Sequence, residues 1–306
     1  MRAAAAALGI SEPAVSSAVA ALRHDLHDPL VVRSGGGIAL TAGGRRLAAH
    51  ADEIVGLADL ARRDVAAAGT AADVLRVGVT AVFEEQAAPG LVDAFTKRMP
   101  GTTVELVPTS PERMAEALLH RSVDIALGLP PVRVGRAVLD VVPFLRYQRI
   151  VVAAPGHQLA KLQAQVPVNR GALVREHWFT GPAGVEEESE EGRWLIASGL
   201  LPELVSLASE DEARERVRAG EGLALLLGHV VREDVKRGTL VRIPVNGTPV
   251  HGLWCASMLG YGRSVPGAVA LQRFTTTPDA TAAAVAPSGA PRGARALPPV
   301  HVTLWS

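Results

Sequence analysis

The feature that most constrains this chain is the order of its segments between residues 3 and 41. An alanine-rich segment with helical propensity reaches a turn at Gly9, and a second helix is predicted to begin just after Ser11. Two short β-prone runs then flank Gly35, Gly36 and Gly37, which can adopt positive φ in a tight turn. A helix, a turn, a second helix and a hairpin in this order are typical of a winged helix-turn-helix, although a simple helical hairpin is the alternative. The sequence therefore predicts a DNA-binding domain over residues 1–41.

The second helix of this motif has one apolar and one polar face. Ser11 can cap the helix, and Pro13 lies in the first turn, where a missing N–H has no cost. The apolar positions that recur at helical spacing are Val15, Val19, Leu22 and Leu26. The polar face begins near the helix N-terminus, where a recognition helix meets base edges and phosphates. The residues expected to contact DNA, including one arginine in the wing, are Ser11, Glu12, Pro13, Ser16, Ser17, Arg23 and Arg33.

Residues 42–69 are predicted to form one long helix with a heptad seam. Apolar positions along it alternate spacings of four and three, and its alanines allow two helix backbones to approach closely. The seam consists of Leu47, Ala51, Ile54, Ala58, Ala61 and Val65. We expect it to pack against a second copy of the chain, with packing on its own domain as the alternative.

Residues 70–274 alternate predicted strands and helices, which favours a parallel sheet covered on both faces. One helix is expected over residues 84–98, and a second α/β block is expected to start near residue 148. The pattern predicts a two-lobed α/β unit with crossovers between the lobes. From residue 275 to residue 306 the Ala- and Pro-rich sequence lacks periodicity, and we expect a disordered tail.

Small polar residues follow several of the predicted strands. In an open α/β sheet a ligand binds beyond the carboxyl ends of the strands, where helix N-termini offer free N–H groups to an anion. The residues at these positions are Thr80, Ala81, Val82, Thr109, Ser110, Gly128, Thr180 and Gly181. Together they suit a small carboxylate, whereas each one alone is also explained as an ordinary helix cap.

The chain resembles the LysR-type transcriptional regulators. The resemblance rests on Ser11-x-Pro13-Ala14-x-Ser16, on Leu30-x-x-Arg33, on Leu40-Thr41-x-x-Gly44, and on the downstream layout to about residue 274. It implies a winged helix-turn-helix, a dimerising linker helix and a two-lobed effector domain that resembles periplasmic binding proteins. It further implies a homodimer or homotetramer that binds double-stranded DNA, with operator binding or activation modulated by a small molecule in the interlobe cleft.

The sequence departs from the pattern of that family at three points. Glu12 stands where Gln is usual, Ser17 stands where a basic residue is usual, and the chain begins at the second helix of the motif. Residues 1–70 also carry seven arginines against seven acidic residues, so they lack the basic excess typical of nucleic-acid binding. These points leave open an alternative function, an effector-binding protein with a truncated N-terminus that does not bind DNA.

Other functions find little support in the sequence. No Gly-x-Ser-x-Gly elbow and no histidine spacing suited to a metal occurs, so we expect no catalytic residue, no metal and no cofactor, and an enzyme is the third alternative. The single cysteine, Cys255, lies in an apolar run and is interpreted as a packed thiol. No membrane segment or signal peptide is apparent, so we expect a cytoplasmic protein. The acidic run 186–191 is interpreted as a solvated helix start.

Overall fold

The computed structural model describes residues 1–34, 37–67, 73–132, 139–161, 168, 170–185, 189–197, 199, 202–260 and 262–286. The chain divides into two compact units. The first comprises residues 1–66 with 119–121, and the second comprises residues 67–118 with 122–306.

The first unit contains the predicted winged helix-turn-helix. Its elements are α1 (Arg2–Leu8), α2 (Glu12–Leu26), β1 (Val31–Ser34), β2 (Gly37–Leu40) and the long helix α3 (Ala42–Ala67). Ser11 caps α2 as predicted, because its hydroxyl oxygen accepts a hydrogen bond from the Ala14 N–H at 3.4 Å. Strands β1 and β2 pair antiparallel and form the wing. Gly35 and Gly36, which the sequence places in the turn between them, lie outside the described residues.

The wing is tied to the start of α3 by Asp28. Its carboxylate accepts hydrogen bonds from the Leu30 N–H and from the Thr41 hydroxyl, both at 2.7 Å. These two hydrogen bonds lower the pKa of Asp28, and the bond from Thr41 has the larger effect. The Thr41 hydroxyl oxygen in turn accepts from the Gly44 N–H at 2.8 Å, and a Cβ at Gly44 would overlap the Leu30 carbonyl. The motif residues Leu30, Thr41 and Gly44 therefore hold the hairpin against the helix that follows it.

The predicted apolar stripe of α2 is only partly buried. Val15 is buried and Val19 is half-buried, whereas Leu22 and Leu26 are 43% and 49% exposed. The prediction that this whole stripe faces a core is therefore wrong for its C-terminal half, because no described element packs over it.

The second unit is built from nine strands and nine helices among the described residues. Its strands are β3 (Asp73–Val79), β4 (Thr102–Pro108), β5 (Ile125–Gly128), β6 (Leu139–Ala153), β7 (His177–Thr180), β8 (Glu203–Ser206), β9 (Ala224–Leu227), β10 (Val241–Arg242) and β11 (Val250–Leu259). Its helices are α4 (Ala81–Gln86), α5 (Ala88–Arg98), α6 (Pro111–Leu119), α7 (Gln158–Lys161), α8 (Glu190–Ala197), α9 (Glu210–Arg218), α10 (Arg232–Arg237), α11 (Pro266–Thr275) and α12 (Pro278–Ala284). Two 3₁₀ turns lie at Arg170–Arg175 and Pro182–Val185.

The main sheet is mixed, so the prediction of a parallel sheet is only partly right. Its order is β10-β6-β11-β5-β3-β4, with β9 also paired to β6. Strand β3 is parallel to β4 and β5, whereas β11 is antiparallel to both β5 and β6. The difference arises because β6 and β11, at 15 and 10 residues, are long enough to run from one lobe into the other in opposite directions.

These two hinge strands, β6 and β11, divide the unit into two lobes. The first lobe holds β3, β4 and β5 with helices α4, α5, α11 and α12, around a core that includes Phe83 and Trp254. The second lobe holds the parallel pair β7–β8 with β9, α8, α9 and α10. The predicted two-lobed α/β architecture is confirmed.

Two helix predictions in the first lobe need correction. The single helix expected over residues 84–98 is two helices, α4 and α5, because Pro89 in the first turn of α5 cannot continue the preceding helix. The tail expected to be disordered from residue 275 contains α12, in which Ala280 and Ala284 are buried. Small side chains explain this docking, since a Cβ at Gly90 of α5 would overlap the Ala283 carbonyl. The rest of the expected tail, residues 287–306, lies outside the described residues.

No single described helix has both the length and the apolar character needed to cross a membrane. Helices α1 and α2 meet those criteria only when taken together, and they are bent by 107°.

Candidate functional site

The first-lobe side of the candidate cleft lies where β3 and β5 end. Thr80 follows β3 and is buried, and its N–H donates to the Leu127 carbonyl at 3.3 Å. Gly128 ends β5 with φ +126°, and a Cβ there would overlap the Thr80 hydroxyl. The structure therefore brings the predicted residues Thr80 and Gly128 into contact, with Ala81 and Val82 opening α4 beside them.

Thr109 and Ser110 follow β4 on the same edge of the sheet. The Thr109 N–H donates to the Val79 carbonyl at 2.8 Å, which places Thr109 next to the end of β3. Its hydroxyl donates to the Val107 carbonyl at 3.0 Å. The Ser110 carbonyl accepts from the Met114 N–H at 3.0 Å at the start of α6. Both residues are half-buried and border the cleft.

The second-lobe side is formed by the end of β7 and the start of α9. Thr180 is buried, and its hydroxyl donates to Glu191 Oε2 at 2.9 Å. A Cβ at Gly181 would lie 3.1 Å from Cγ of Glu210, so Gly181 lies against the N-terminus of α9. The Thr180 hydroxyl already donates its hydrogen bond to Glu191. A ligand could therefore accept from this hydroxyl, as predicted, only by displacing Glu191.

Glu85, which is not among the residues predicted from the sequence, connects the two sides of the cleft. Its carboxylate, on α4 of the first lobe, accepts from the N–H groups of Glu210 at 3.0 Å and Asp211 at 2.7 Å, at the start of α9 in the second lobe. Gln86 Nε2 also donates to it at 2.8 Å. Burial raises the pKa of Glu85, although the two backbone bonds oppose that effect. The N–H groups expected to bind an anion are present at the start of α9. In this structure they donate to the carboxylate of Glu85.

An arginine and two acids form the floor beside this bridge. Arg149 of β6 is buried, with Nε 3.2 Å from Glu190 Oε2 and Nη1 2.6 Å from Glu210 Oε1. Its Nη1 also donates to the Leu225 carbonyl at 3.1 Å. Burial disfavours its charge, but Glu210 and Glu190 outweigh that effect and raise the pKa of Arg149. Because two acids neutralise it, Arg149 is not a free receptor for an anion.

Glu191 is the most perturbed acid of this region. It is 4% exposed, and its carboxylate accepts from Trp178 Nε1 and from the Thr180 hydroxyl. Burial raises the pKa of Glu191 to about 7, with Arg149 and the two donors acting in the opposite direction. The interpretation of run 186–191 as solvated is thus wrong for Glu190 and Glu191, since α8 turns both toward the interior. Residues 186–188 lie outside the described part of the chain.

Aromatic rings pack around the same floor. The Tyr147 hydroxyl is hydrogen-bonded to Glu190, and burial raises the pKa of Tyr147. A Cβ at Gly252 would overlap both Tyr147 and Glu190, so only glycine fits there. His229 lies edge-on to Trp254 with ring centroids 5.8 Å apart, and burial lowers its pKa to about 4. The floor is therefore rigidly packed, and the groups able to change partners are those at the Glu85 bridge.

The predicted DNA-contacting residues of the first unit are mostly exposed. Ser16 and Ser17 lie on the exposed face of α2, and Arg33 extends from β1 opposite Ile38. Arg23 is half-buried, and its Nε has no hydrogen-bond partner within the described residues. Ser11, Glu12 and Pro13 are exposed at the start of α2. The structure thus presents the first turns of α2 and the wing to solvent.

The predicted seam of α3 is open for most of its length. Ile54 is 64% exposed and Val65 is 78% exposed, and Ala58 and Ala61 are also exposed. Leu47 and Ala51 are half-buried. Among the described residues, the part of the seam from Ile54 to Val65 is therefore not covered by its own domain, the alternative to a second copy.

The described residues offer no metal centre. Within them, no group of three or more His, Cys, Asp or Glu side chains is placed to hold an ion. Cys255 is buried, and burial raises the pKa of its thiol to about 11, so it is a packed thiol and not an activated nucleophile.

Comparisons with known proteins agree across both units. Residues 68–260 match the family described as LysR substrate binding domain, and residues 1–45 match the bacterial regulatory helix-turn-helix protein, lysR family. The chain is 38% identical to the uncharacterized HTH-type transcriptional regulator Rv0377 of Mycobacterium tuberculosis, covering 100% of this chain and 95% of the relative. It is 28% identical to the HTH-type transcriptional regulator CbbR of Xanthobacter flavus, covering 97% of this chain and 88% of that protein.

Solved structures show the same fold at lower identity. Full-length LysG from Corynebacterium glutamicum with bound effector Arg is 20% identical, with a TM-score of 0.59 and 91% of each chain covered. The CcmR regulatory domain of Synechocystis PCC6803 in complex with 2-PG is 18% identical, with a TM-score of 0.55, covering 67% of this chain and 96% of that domain.

Proposed function

This chain belongs to the LysR family of transcriptional regulators, and we propose from that premise that a small carboxylate bound in its interlobe cleft controls its binding to an operator. The alternative of an effector-binding protein that does not bind DNA is not favoured, because the family's helix-turn-helix matches residues 1–45. No finding gives positive support to an enzyme.

The observation that carries the proposal is the Glu85 bridge. The two predicted half-sites lie in different lobes, and this bridge joins them through hydrogen bonds of 3.0 Å and 2.7 Å to the start of α9. Helix N-termini favour anions because their N–H groups are unpaired and the helix dipole is positive there. The carboxylate of Glu85 thus shows which chemistry this end of α9 accepts.

A carboxylate effector can act by taking the place of Glu85, because it offers the same acceptor oxygens to the Glu210 and Asp211 N–H groups. An effector whose carboxylate binds the Glu210 and Asp211 N–H groups has the small polar residues Thr80, Thr109, Ser110 and Gly128 beside it on the first lobe. Its binding would favour one relative arrangement of the lobes, which is a population shift driven by differential affinity.

The readout of that shift is DNA binding by an oligomer. The exposed face of α2 and the wing form the proposed DNA interface, and the open seam of α3 supplies the proposed dimer contact. Residues 1–70 are formally neutral, so a general excess of positive charge does not provide the affinity for DNA. In the proposal, this affinity comes from a few side chains at the DNA interface, present in both copies of a dimer.

The experiment that tests the proposal is effector-dependent operator binding by cleft variants. An operator is selected from random-sequence DNA by the wild-type protein, and small carboxylates are screened for those that change its affinity. We expect Thr80→Val and Ser110→Val to bind the operator normally and to lose the response to the active carboxylate. A full response in both variants would place the effector elsewhere.

A further inference from the structure

A second concave site lies at the free edge of hinge strand β11, where it shares Glu190 and Gly252 with the floor of the candidate cleft and contains none of the predicted effector residues. Strand β5 pairs with β11 only over Cys255–Ser257, so in the described chain the edge of β11 before Cys255 has no strand on that side. A cavity of about 360 Å³ occupies the gap. It is lined by Leu129, Pro130, Arg146, Glu190, Arg193, His251, Gly252 and Leu253. A second cavity of about 390 Å³ adjoins it and shares Glu190, Arg193 and His251.

The walls of the first cavity come from three parts of the unit. Leu129 and Pro130 follow β5 in the first lobe, Arg146 and His251 lie on the two hinge strands, and Arg193 lies on α8 of the second lobe. None of the eight predicted effector residues lines either cavity. A ligand held here would therefore contact both lobes and the hinge without contacting the predicted effector residues.

Two arginines are the basic groups of this space, with a histidine beside them. The side chains of Arg146, Arg193 and His251 are exposed, and within the described residues none of these side chains makes a hydrogen bond or ion pair. The one acid, Glu190, is already committed to Arg149 at 3.2 Å and to the Tyr147 hydroxyl. Two unpaired arginine side chains thus line a cavity whose one acid, Glu190, is already paired with Arg149.

We propose that this cavity, the hinge site, binds a small oxyanion that carries two negative charges, such as a phosphate or a dicarboxylate. Guanidinium groups suit this ligand because they donate parallel, charge-assisted hydrogen bonds to phosphate and carboxylate oxygens. The convergence of arginines from β6 and α8 on one space favours a compact ligand that both can reach. Because the site spans both lobes, occupancy would bias the lobe arrangement independently of the cleft.

The test is anion binding by the full chain. The probes are inorganic phosphate and malonate, each titrated against chloride at matched ionic strength, with the melting temperature and calorimetric heat as readouts. We expect saturable binding of at least one dianion, and we expect Arg146→Gln and Arg193→Gln each to weaken it about tenfold, as the loss of a charge-assisted bond implies. The preference between phosphate and malonate identifies the class of oxyanion.

Two control variants make the result decisive. Arg232→Gln removes an exposed arginine from α10 and should leave the affinity unchanged, and Thr180→Val alters the cleft and should also leave it unchanged. The hinge site is overturned if neither dianion exceeds the effect of chloride, or if Arg232→Gln weakens binding as much as Arg193→Gln does. A response that Thr180→Val abolishes would assign the anion to the cleft and would likewise overturn the hinge site.

Discussion

A single carboxylate, that of Glu85, is the residue on which the proposed control of the cleft depends. It is only half-buried, yet it pairs with two backbone N–H groups of the opposite lobe and with Gln86. An acidic residue in an amphipathic helix is ordinarily interpreted as solvated, so nothing in the sequence distinguishes Glu85 from its neighbour Glu84. The distinction comes from the tertiary placement of α9 against α4.

We expect Glu85→Ala to lower the free energy of unfolding by about 1–2 kcal/mol, because two N–H groups at the start of α9 lose their partner. Acetate at tens of millimolar, on the order of a weak-site affinity, should restore part of that loss by occupying the vacated helix end. Urea unfolding with and without acetate measures both effects. Glu84→Ala is the matched control on the same helix, and equal losses in the two variants would contradict the bridge.

The buried carboxyl of Glu191 makes a prediction about pH. Its folded-state pKa of about 7 lies above the ordinary value of 4.5, so the folded state binds more protons than the unfolded state between those pH values. Stability contributed by protonated Glu191 is therefore present at low pH and is lost as pH rises from about 4.5 to about 7.

Replacing Glu191 by Gln should flatten this part of the stability profile, because the side chain then carries no charge at any pH. Urea midpoints measured at several pH values give the profile. Glu203→Gln, at a 72% exposed carboxyl, serves as the control. An unchanged slope in Glu191→Gln would show that the carboxyl does not titrate in this range.

Among the elements, the capped helix α2 and the wing carry the proposed DNA interface. Ser16→Ala and Arg33→Ala should each weaken operator binding, Arg33→Ala by about tenfold and with a salt slope reduced by about one, since a phosphate contact releases a counterion. Fluorescence anisotropy at several salt concentrations measures both quantities. Arg232→Ala on α10 is the control, and wild-type affinity in Arg33→Ala would remove the wing from the interface.

The long helix α3 carries the proposed dimer contact. Ile54→Glu introduces a charge into the seam and should shift the protein toward monomer, because an unpaired charge cannot be buried between two helices without a large penalty. Val55 is 60% exposed and lies outside the predicted seam, so Val55→Glu is a closely matched control. Sedimentation velocity resolves the species. Dissociation by both variants, or by neither, would contradict the seam.

Elements coded by local signals could be predicted, and elements that depend on distant partners could not. The Ser11 cap, the two strands of the wing and the long helix α3 depend on neighbours in sequence, and their predicted positions agree with the described structure. The heptad seam on α3 stays a prediction. The antiparallel run of β11 against β6 depends on which lobe each strand enters, and the docking of α12 depends on Gly90. Neither is visible in periodicity.

The candidate site shows the same division. Thr80, Gly128, Thr180 and Gly181 could be predicted as site residues, because they follow strands whose positions are indicated by the α/β alternation. The acids that complete the site, Glu85 and Glu191, were missed because burial of a carboxylate depends on partners far away in the sequence. An excess of acidic residues at the starts of α8 and α9 is the one signal that could have drawn attention to this region.

At the scale of the whole molecule, we propose that the state of the interlobe cleft sets the affinity of the DNA-binding unit for its operator. The lobes are bridged by Glu85 in the structure described, and the family to which the chain belongs combines an effector domain with a DNA-binding domain. Removing the bridge imitates the displacement of Glu85 without requiring the effector to be known.

The most direct test is therefore the operator affinity of the full-length wild type and of Glu85→Ala, measured by fluorescence anisotropy with and without acetate. We predict that the affinity of Glu85→Ala differs from that of wild type by about fivefold or more, as a coupling of about 1 kcal/mol implies, and that acetate, which does not link the lobes, leaves this difference in place. Identical affinities for the two proteins would contradict control of DNA binding by the cleft.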